Sequence, residues 1–159
     1  MENEVKFLFS GDSALVIQFG NEISVEVNKK IRKMMDDIKK ENIDGIVELV
    51  PTYCSLLINY DVLKIDYNTL TEKLKKFLSN NEDTVEDEEV TLIEIPTLYN
   101  DECGPDLEYV AEYNKLSKEE VIKIHTGTDY LVYMLGFMPG FTYLGGMSEK
   151  IATPRLESP

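Results

Sequence analysis

Residues 133–146, Tyr-Met-Leu-Gly-Phe-Met-Pro-Gly-Phe-Thr-Tyr-Leu-Gly-Gly, hold four glycines, one proline and four aromatic rings. Glycine and proline weaken a core strand. Four rings would be poorly placed in an open, solvated loop. The mixture describes backbone that must come close to something, between rings that bury a surface. Successive N–H groups in such a turn can hold an anion or a developing oxyanion. Phe137, Phe141 and Tyr143 would wall the site. The same residues also suit a tightly packed loop crossing a barrel, and composition does not choose between the two.

His125 is the only histidine, and Gly127 ends the helix that carries it. It serves either as an acid, base or hydrogen-bond donor, or as a cap for the carbonyls of its own helix. Cys103 and His125 form the only possible thiol–imidazole pair. Nothing in their spacing supports an activated thiolate, and no orienting third residue is indicated. Cys54 lies in an apolar run and reads as core. One histidine and no CxxC pair leave no expectation of a metal site. Neither GxxxxGK[ST] nor GxGxxG occurs, so the chain has no nucleotide motif of its own.

These residues need elements to position them. Residues 5–9 and 14–19 read as two strands of a hairpin. A helix over 24–41 follows, with Val27, Ile31, Met34, Met35 and Ile38 on one face. Strands over 46–50 and 54–60 flank Pro51, which should interrupt the first of them. A second helix is expected near Thr69, with Glu72 completing a capping box and Leu70, Leu74, Phe77 and Leu78 facing inward. The order suggests a ferredoxin-like βαββαβ layout with one extra strand from the opening hairpin.

The run 79–89 carries six carboxylates and reads as a solvated linker between modules. Residues 90–95 are a predicted strand that closes the first sheet or opens the second module. Gly104-Pro105-Asp106 should start a helix. Ser117 and Glu120 form a capping box for the next, which runs to about His125, with Leu116 stapled onto Val121. A strand over 129–137 leads into the glycine–aromatic stretch. The expected domains are 1–85 and 90–159.

A formal net charge of −14 disfavours nucleic acid and anionic membrane surfaces as partners. No apolar run reaches the length of a membrane span, and the first residues do not read as a signal peptide, so the expected location is cytoplasmic.

The stretch 136–146, followed by Ala152-Thr153-Pro154-Arg155, resembles the signature of the family of 5-oxoprolinase B subunits. That family is also known as KipI, the kinase A inhibitor, and as allophanate hydrolase subunit 1. Gly11-Asp12-Ser13-Ala14-Leu15, Val50-Pro51-Thr52-Tyr53, Asn59-Tyr60-Asp61 and Gly104-Pro105-Asp106-Leu107 extend the likeness over essentially the whole chain. The resemblance implies an α+β protein, with a ferredoxin-like subdomain followed by a cyclophilin-like β-barrel related to the carboxyltransferase domain of urea carboxylase. It implies the 5-oxoprolinase subunits A and C as partners and ATP as the nucleotide used by the complex, which opens 5-oxoproline to glutamate. Phosphorylation of the lactam oxygen followed by hydrolysis is the chemistry implied.

The same family name covers a non-enzymatic reading, an inhibitor of a sensor histidine kinase. On the resemblance, His125, Tyr143 and Arg155 are the candidate catalytic residues. Gly136, Phe137, Pro139, Gly140, Phe141, Gly145 and Gly146 are the candidate substrate-binding residues. Family members run on well past Pro154-Arg155, so the second module is expected to be a truncated barrel with unpaired strand edges.

Overall fold

The computed structural model describes residues 5–79 and 91–155. The chain divides into two compact units, Met1–Glu88 and Glu89–Pro159. Each is considered by itself.

The first unit opens with β1 (Lys6–Phe9) and β2 (Ala14–Gln18), an antiparallel hairpin in which Lys6 faces Gln18 and Phe9 faces Leu15. Helix α1 (Val25–Glu41) starts at Ser24, whose Oγ accepts the Glu26 N–H at 3.2 Å. It ends at Asn42, whose left-handed backbone turns its N–H back to the Ile38 and Lys39 carbonyls. Strands β3 (Ile46–Pro51) and β4 (Ser55–Tyr60) and helix α2 (Tyr67–Ser79) complete the unit. The sheet order is β1-β2-β4-β3, antiparallel throughout.

Period-2 alternation sends Leu15 and Ile17 of β2 inward with Leu56, Ile58 and Tyr60 of β4. Ile31, Met34 and Ile38 of α1 and Leu70 and Leu74 of α2 pack against them in one core. Val27, Met35, Phe77 and Leu78, also assigned inward from the sequence, lie half-buried at its margin. Asn28 is a buried polar residue that the apolar spacing did not mark. Its Oδ1 accepts the Arg32 Nε–H at 3.1 Å, a bond one helical turn long.

The α+β expectation stands, and three local expectations are corrected. Strand β3 runs through Pro51, which pairs with Leu56. β3 is an edge strand, so a residue without an N–H costs no ladder bond there. Helix α2 begins at Tyr67, before Thr69. Asp66 caps it, accepting the Thr69 N–H at 3.0 Å and the Thr69 hydroxyl at 2.6 Å. The described part of the predicted 90–95 strand, residues 91–95, belongs to no strand, and Leu92, Ile93 and Ile95 are exposed. Val90 lies outside the described residues. The place beside β2 that a closing βαββαβ strand would take is filled by β1, through the hairpin.

The second unit carries α3 (Leu107–Asn114), α4 (Lys118–Thr126), β5 (Leu131–Leu135), β6 (Thr142–Gly145) and a 3-10 turn over Glu149–Ile151. The Ser117–Glu120 capping box forms in both directions: Ser117 Oγ accepts the Glu120 N–H at 3.1 Å, and Glu120 Oε2 accepts the Ser117 N–H at 2.8 Å. Ala111, Val121 and Ile151 are its buried cluster, with Leu107, Val110, Leu116 and Ile124 packed around them. β5 and β6 form a sheet of two strands, with no third strand beside them among the described residues.

Two outcomes follow for the first unit. Leu74→Ala empties a fully buried position and should lower its unfolding free energy by about 2–5 kcal/mol, read by urea denaturation. The Thr69 hydroxyl, then the Thr69 N–H, hold the Asp66 carboxyl below the ordinary Asp value. Such a group stabilises fully above its unfolded value, and the contribution is lost as pH falls through its folded value. Asp66→Ala should therefore lower the urea midpoint at neutral pH, and the gap to the wild type should close in acid.

Candidate functional site

The glycine–aromatic stretch is a hairpin connection and its returning strand. Leu131 faces Gly145, Val132 faces Leu144, Met134 faces Tyr143 and Leu135 faces Thr142, with a register shift between Val132 and Met134. The connection is tight: Met138 N–H donates to the Gly136 carbonyl at 2.8 Å and Phe141 N–H to the Met138 carbonyl at 3.1 Å. Gly136 N–H donates to the Phe141 carbonyl at 3.2 Å. The first bond closes a γ-turn around Phe137, whose φ is +67°. A γ-turn with positive φ is the strained form, rare outside glycine. It leaves the Phe137 side chain in solvent, 84% exposed.

From there the rings run back along the hairpin. Phe137 meets Phe141 edge-on with centroids 5.7 Å apart, and Phe141 meets Tyr143 in the same manner at 5.2 Å. This is the preferred aromatic geometry. Pro139 and Gly140 complete the turn, and Gly140, at φ +79°, has open space where a side chain would stand. Gly145 is glycine for another reason: a Cβ there would overlap the ring of Tyr133, which is buried. Gly136 and Gly146 flank the two strands at the turn and at the far end.

His125 sits in the last turn of α4, half-buried between two tyrosines. The Tyr99 hydroxyl is 2.5 Å from His125 Nδ1, and Tyr130 donates its hydroxyl to the His125 carbonyl at 2.9 Å. The helix-end carbonyl is thus satisfied by Tyr130, which leaves the imidazole for Tyr99. Burial, and then the neighbouring Tyr130, push the Tyr99 phenol above its ordinary value, so its proton stays on. Cys103 is exposed, and its N–H is taken by Asn100 Oδ1 at 2.7 Å. Cys54 is half-buried, short of the core position expected for it.

Arg155 is exposed and makes no hydrogen bond or ion pair with the described residues. The residues before it are anchored. Asn114 Nδ2 donates to Thr153 Oγ1 at 3.1 Å and to the Val110 carbonyl at 2.9 Å, tying the 152–155 stretch to α3.

The predicted site residues therefore fall into three groups. The hairpin gathers Gly136, Phe137, Pro139, Gly140, Phe141 and Tyr143 toward its turn and Gly145 and Gly146 at its far end; His125 belongs to a tyrosine cluster; Arg155 follows the anchored residues 152–154. Tyr99, Tyr130 and Asn114 escaped the sequence reading. Tyr130, five residues beyond His125 across the Gly127 break, was within reach of a local argument. Tyr99, twenty-six residues before it, was not. Among the described residues no group of His, Cys, Asp and Glu is placed to hold a metal ion. No helix among them is long and apolar enough to cross a membrane.

A family model described as the carboxyltransferase domain, subdomain C and D, matches residues 5–159. The chain belongs to that carboxyltransferase-domain family. It is 45% identical over 159 residues to the 5-oxoprolinase B subunit of Bacillus subtilis (strain 168), covering 94% of this chain and 66% of that protein. It is 30% identical over 152 residues to the 5-oxoprolinase B subunit of Escherichia coli O157:H7, again covering 94% and 66%. The crystal structure of TTHA0988 superposes with a TM-score of 0.76 at 30% identity, over 91% of this chain and 28% of that one. This carboxyltransferase-domain chain thus spans about two thirds of the length of the curated relatives it matches.

Two glycines of the hairpin should respond differently to alanine. Gly140→Ala adds only the left-handed backbone penalty, about 1 kcal/mol. Gly145→Ala forces the Tyr133 ring to move, and overpacking of that kind costs roughly 1–3 kcal/mol. Thermal unfolding of the two variants should rank Gly145→Ala as the less stable.

Proposed function

We propose that this chain is the B component of an ATP-dependent 5-oxoprolinase, acting in the cytoplasm with subunits A and C to open 5-oxoproline to glutamate. The observation that carries the reading is the 45% identity, along nearly the whole chain, to a protein of that name. The hairpin agrees with it. A strained turn that holds Phe137 in solvent, backed by Phe141, gives an apolar surface against which a small lactam ring or another protein of the complex can close.

The roles follow from residue type. The Arg155 guanidinium can take a carboxylate in a two-pronged bond. The Tyr143 hydroxyl can donate to a lactam carbonyl, and His125 can donate or accept a proton. Phe137, Met138, Pro139 and Phe141 are apolar and do not fit a triphosphate. The side chains of this turn carry no charge to hold ATP, and the nucleotide belongs to the complex.

The test uses the full-length protein assembled with subunits A and C. Arg155→Ala and Tyr143→Phe should each lower kcat/KM for 5-oxoproline, by roughly a hundredfold for a lost transition-state donor. Unchanged kinetics in both would remove these residues from the site. Deleting the gene with its neighbours intact should abolish growth on 5-oxoproline. Undiminished growth, with altered autophosphorylation of a sensor histidine kinase, would favour the inhibitor reading instead.

A further inference from the structure

The three rings of Tyr99, His125 and Tyr130 form a cluster apart from the aromatic ladder of the hairpin. Tyr99 meets the imidazole edge-on, with centroids 5.9 Å apart and planes at 82°. Tyr130 lies on it at 5.5 Å and 55°. The two hydroxyls have different duties. Tyr130 donates to the His125 backbone carbonyl, while the Tyr99 hydroxyl faces Nδ1.

The direction of that last bond decides what the histidine can offer. A neutral imidazole carries one N–H and one bare nitrogen. If Nδ1 held the proton, the half-buried Tyr99 O–H would have to find its acceptor in solvent, since the described residues supply no other. With Nδ1 bare, both groups are satisfied. The flanking rings oppose a flip of the imidazole that would exchange its edges.

We propose that Tyr99 is a positioning residue: its hydroxyl donates to His125 Nδ1 and fixes the neutral ring with its proton on Nε2. The ring then presents an N–H donor, suited to a carbonyl, carboxylate or phosphoryl oxygen. It cannot act as a base through Nδ1 without first breaking the tyrosine bond. The place of the proton stands on the cluster alone, whereas its use in turnover rests on the reading of the chain as part of a 5-oxoprolinase.

The sequence makes the test direct, because a single histidine gives a single pair of ring-nitrogen signals. In nitrogen-15 spectra of the chain, taken well above the titration range of an imidazole, Nε2 should be protonated and Nδ1 should be a hydrogen-bonded acceptor. Tyr99→Phe keeps the ring and removes only the hydroxyl, so the Nδ1 signal should move toward that of a free imidazole. Tyr130→Phe, which loses only a bond to the backbone, should leave Nδ1 an acceptor. A protonated Nδ1 in the wild type, which needs no variant to observe, overturns the proposal. So does an Nδ1 signal that ignores Tyr99→Phe in a variant with wild-type circular dichroism.

In the full-length assembly, Tyr99→Phe should lower kcat by roughly ten- to a hundredfold, as when an orienting partner of a histidine is removed. An unchanged kcat overturns the role in turnover. Absence of 5-oxoproline turnover by the wild-type assembly overturns the functional reading and leaves the ring assignment standing.

Discussion

The ring of Tyr133 occupies the space in which a side chain at residue 145 would stand. That close approach is possible only because residue 145 is glycine. Tyr133 lies on β5 and Gly145 on β6, so the contact joins the two strands at the end away from the turn. The register that follows places Met134 opposite Tyr143 and Leu135 opposite Thr142. Tyr143 then aligns with Phe141, and Phe141 with Phe137. A Cβ at residue 145 would disturb the strand pair that carries Phe141 and Tyr143.

The polar side of the unit is built differently. His125, Tyr99 and Tyr130 use bonds that each satisfy a donor and an acceptor at a helix end. Asn114 likewise bridges its own helix and Thr153. Tyr130 closes a helix-end carbonyl that would otherwise lack a partner, Tyr99 engages the imidazole, and Asn114 anchors the segment that leads to Arg155. Among the described residues the buried apolar cluster of this unit is small, Ala111, Val121 and Ile151, against thirteen residues in the first unit. The candidate side chains His125 and Arg155 thus lie where hydrogen bonds, as much as packing, hold the chain.

The sequence revealed most of what depends on local pattern. Helix α1 shows its apolar face at i, i+4 and i+7, which placed it over 24–41; its left-handed stop at Asn42 was not read from the sequence. The Ser117–Glu120 box was readable because its two halves are three residues apart. The start of α2 was misread because Thr69 and Glu72 fit the same pattern, while Asp66 binds both donors of Thr69. Residues 91–95 have strand-like composition, yet composition does not say whether a sheet edge is vacant, and β1 already holds the edge beside β2. At the site, the hairpin showed itself through glycine and aromatic content. The Tyr99–His125 bond left no trace, since it links positions with no periodic relation.

Pro51, misread as the end of a strand, has a consequence for how the chain behaves in a crowded solution. The outer margin of β3 is a row of backbone groups that another extended chain could zip onto. A proline in that row, paired inward with Leu56, interrupts the donors such an intruder would need. The irregular pairing between Ile46 and Glu48 bends the same margin at its other end. The sheet is thereby finished on that side by the strand's own residues, and self-association by growth of the sheet is discouraged.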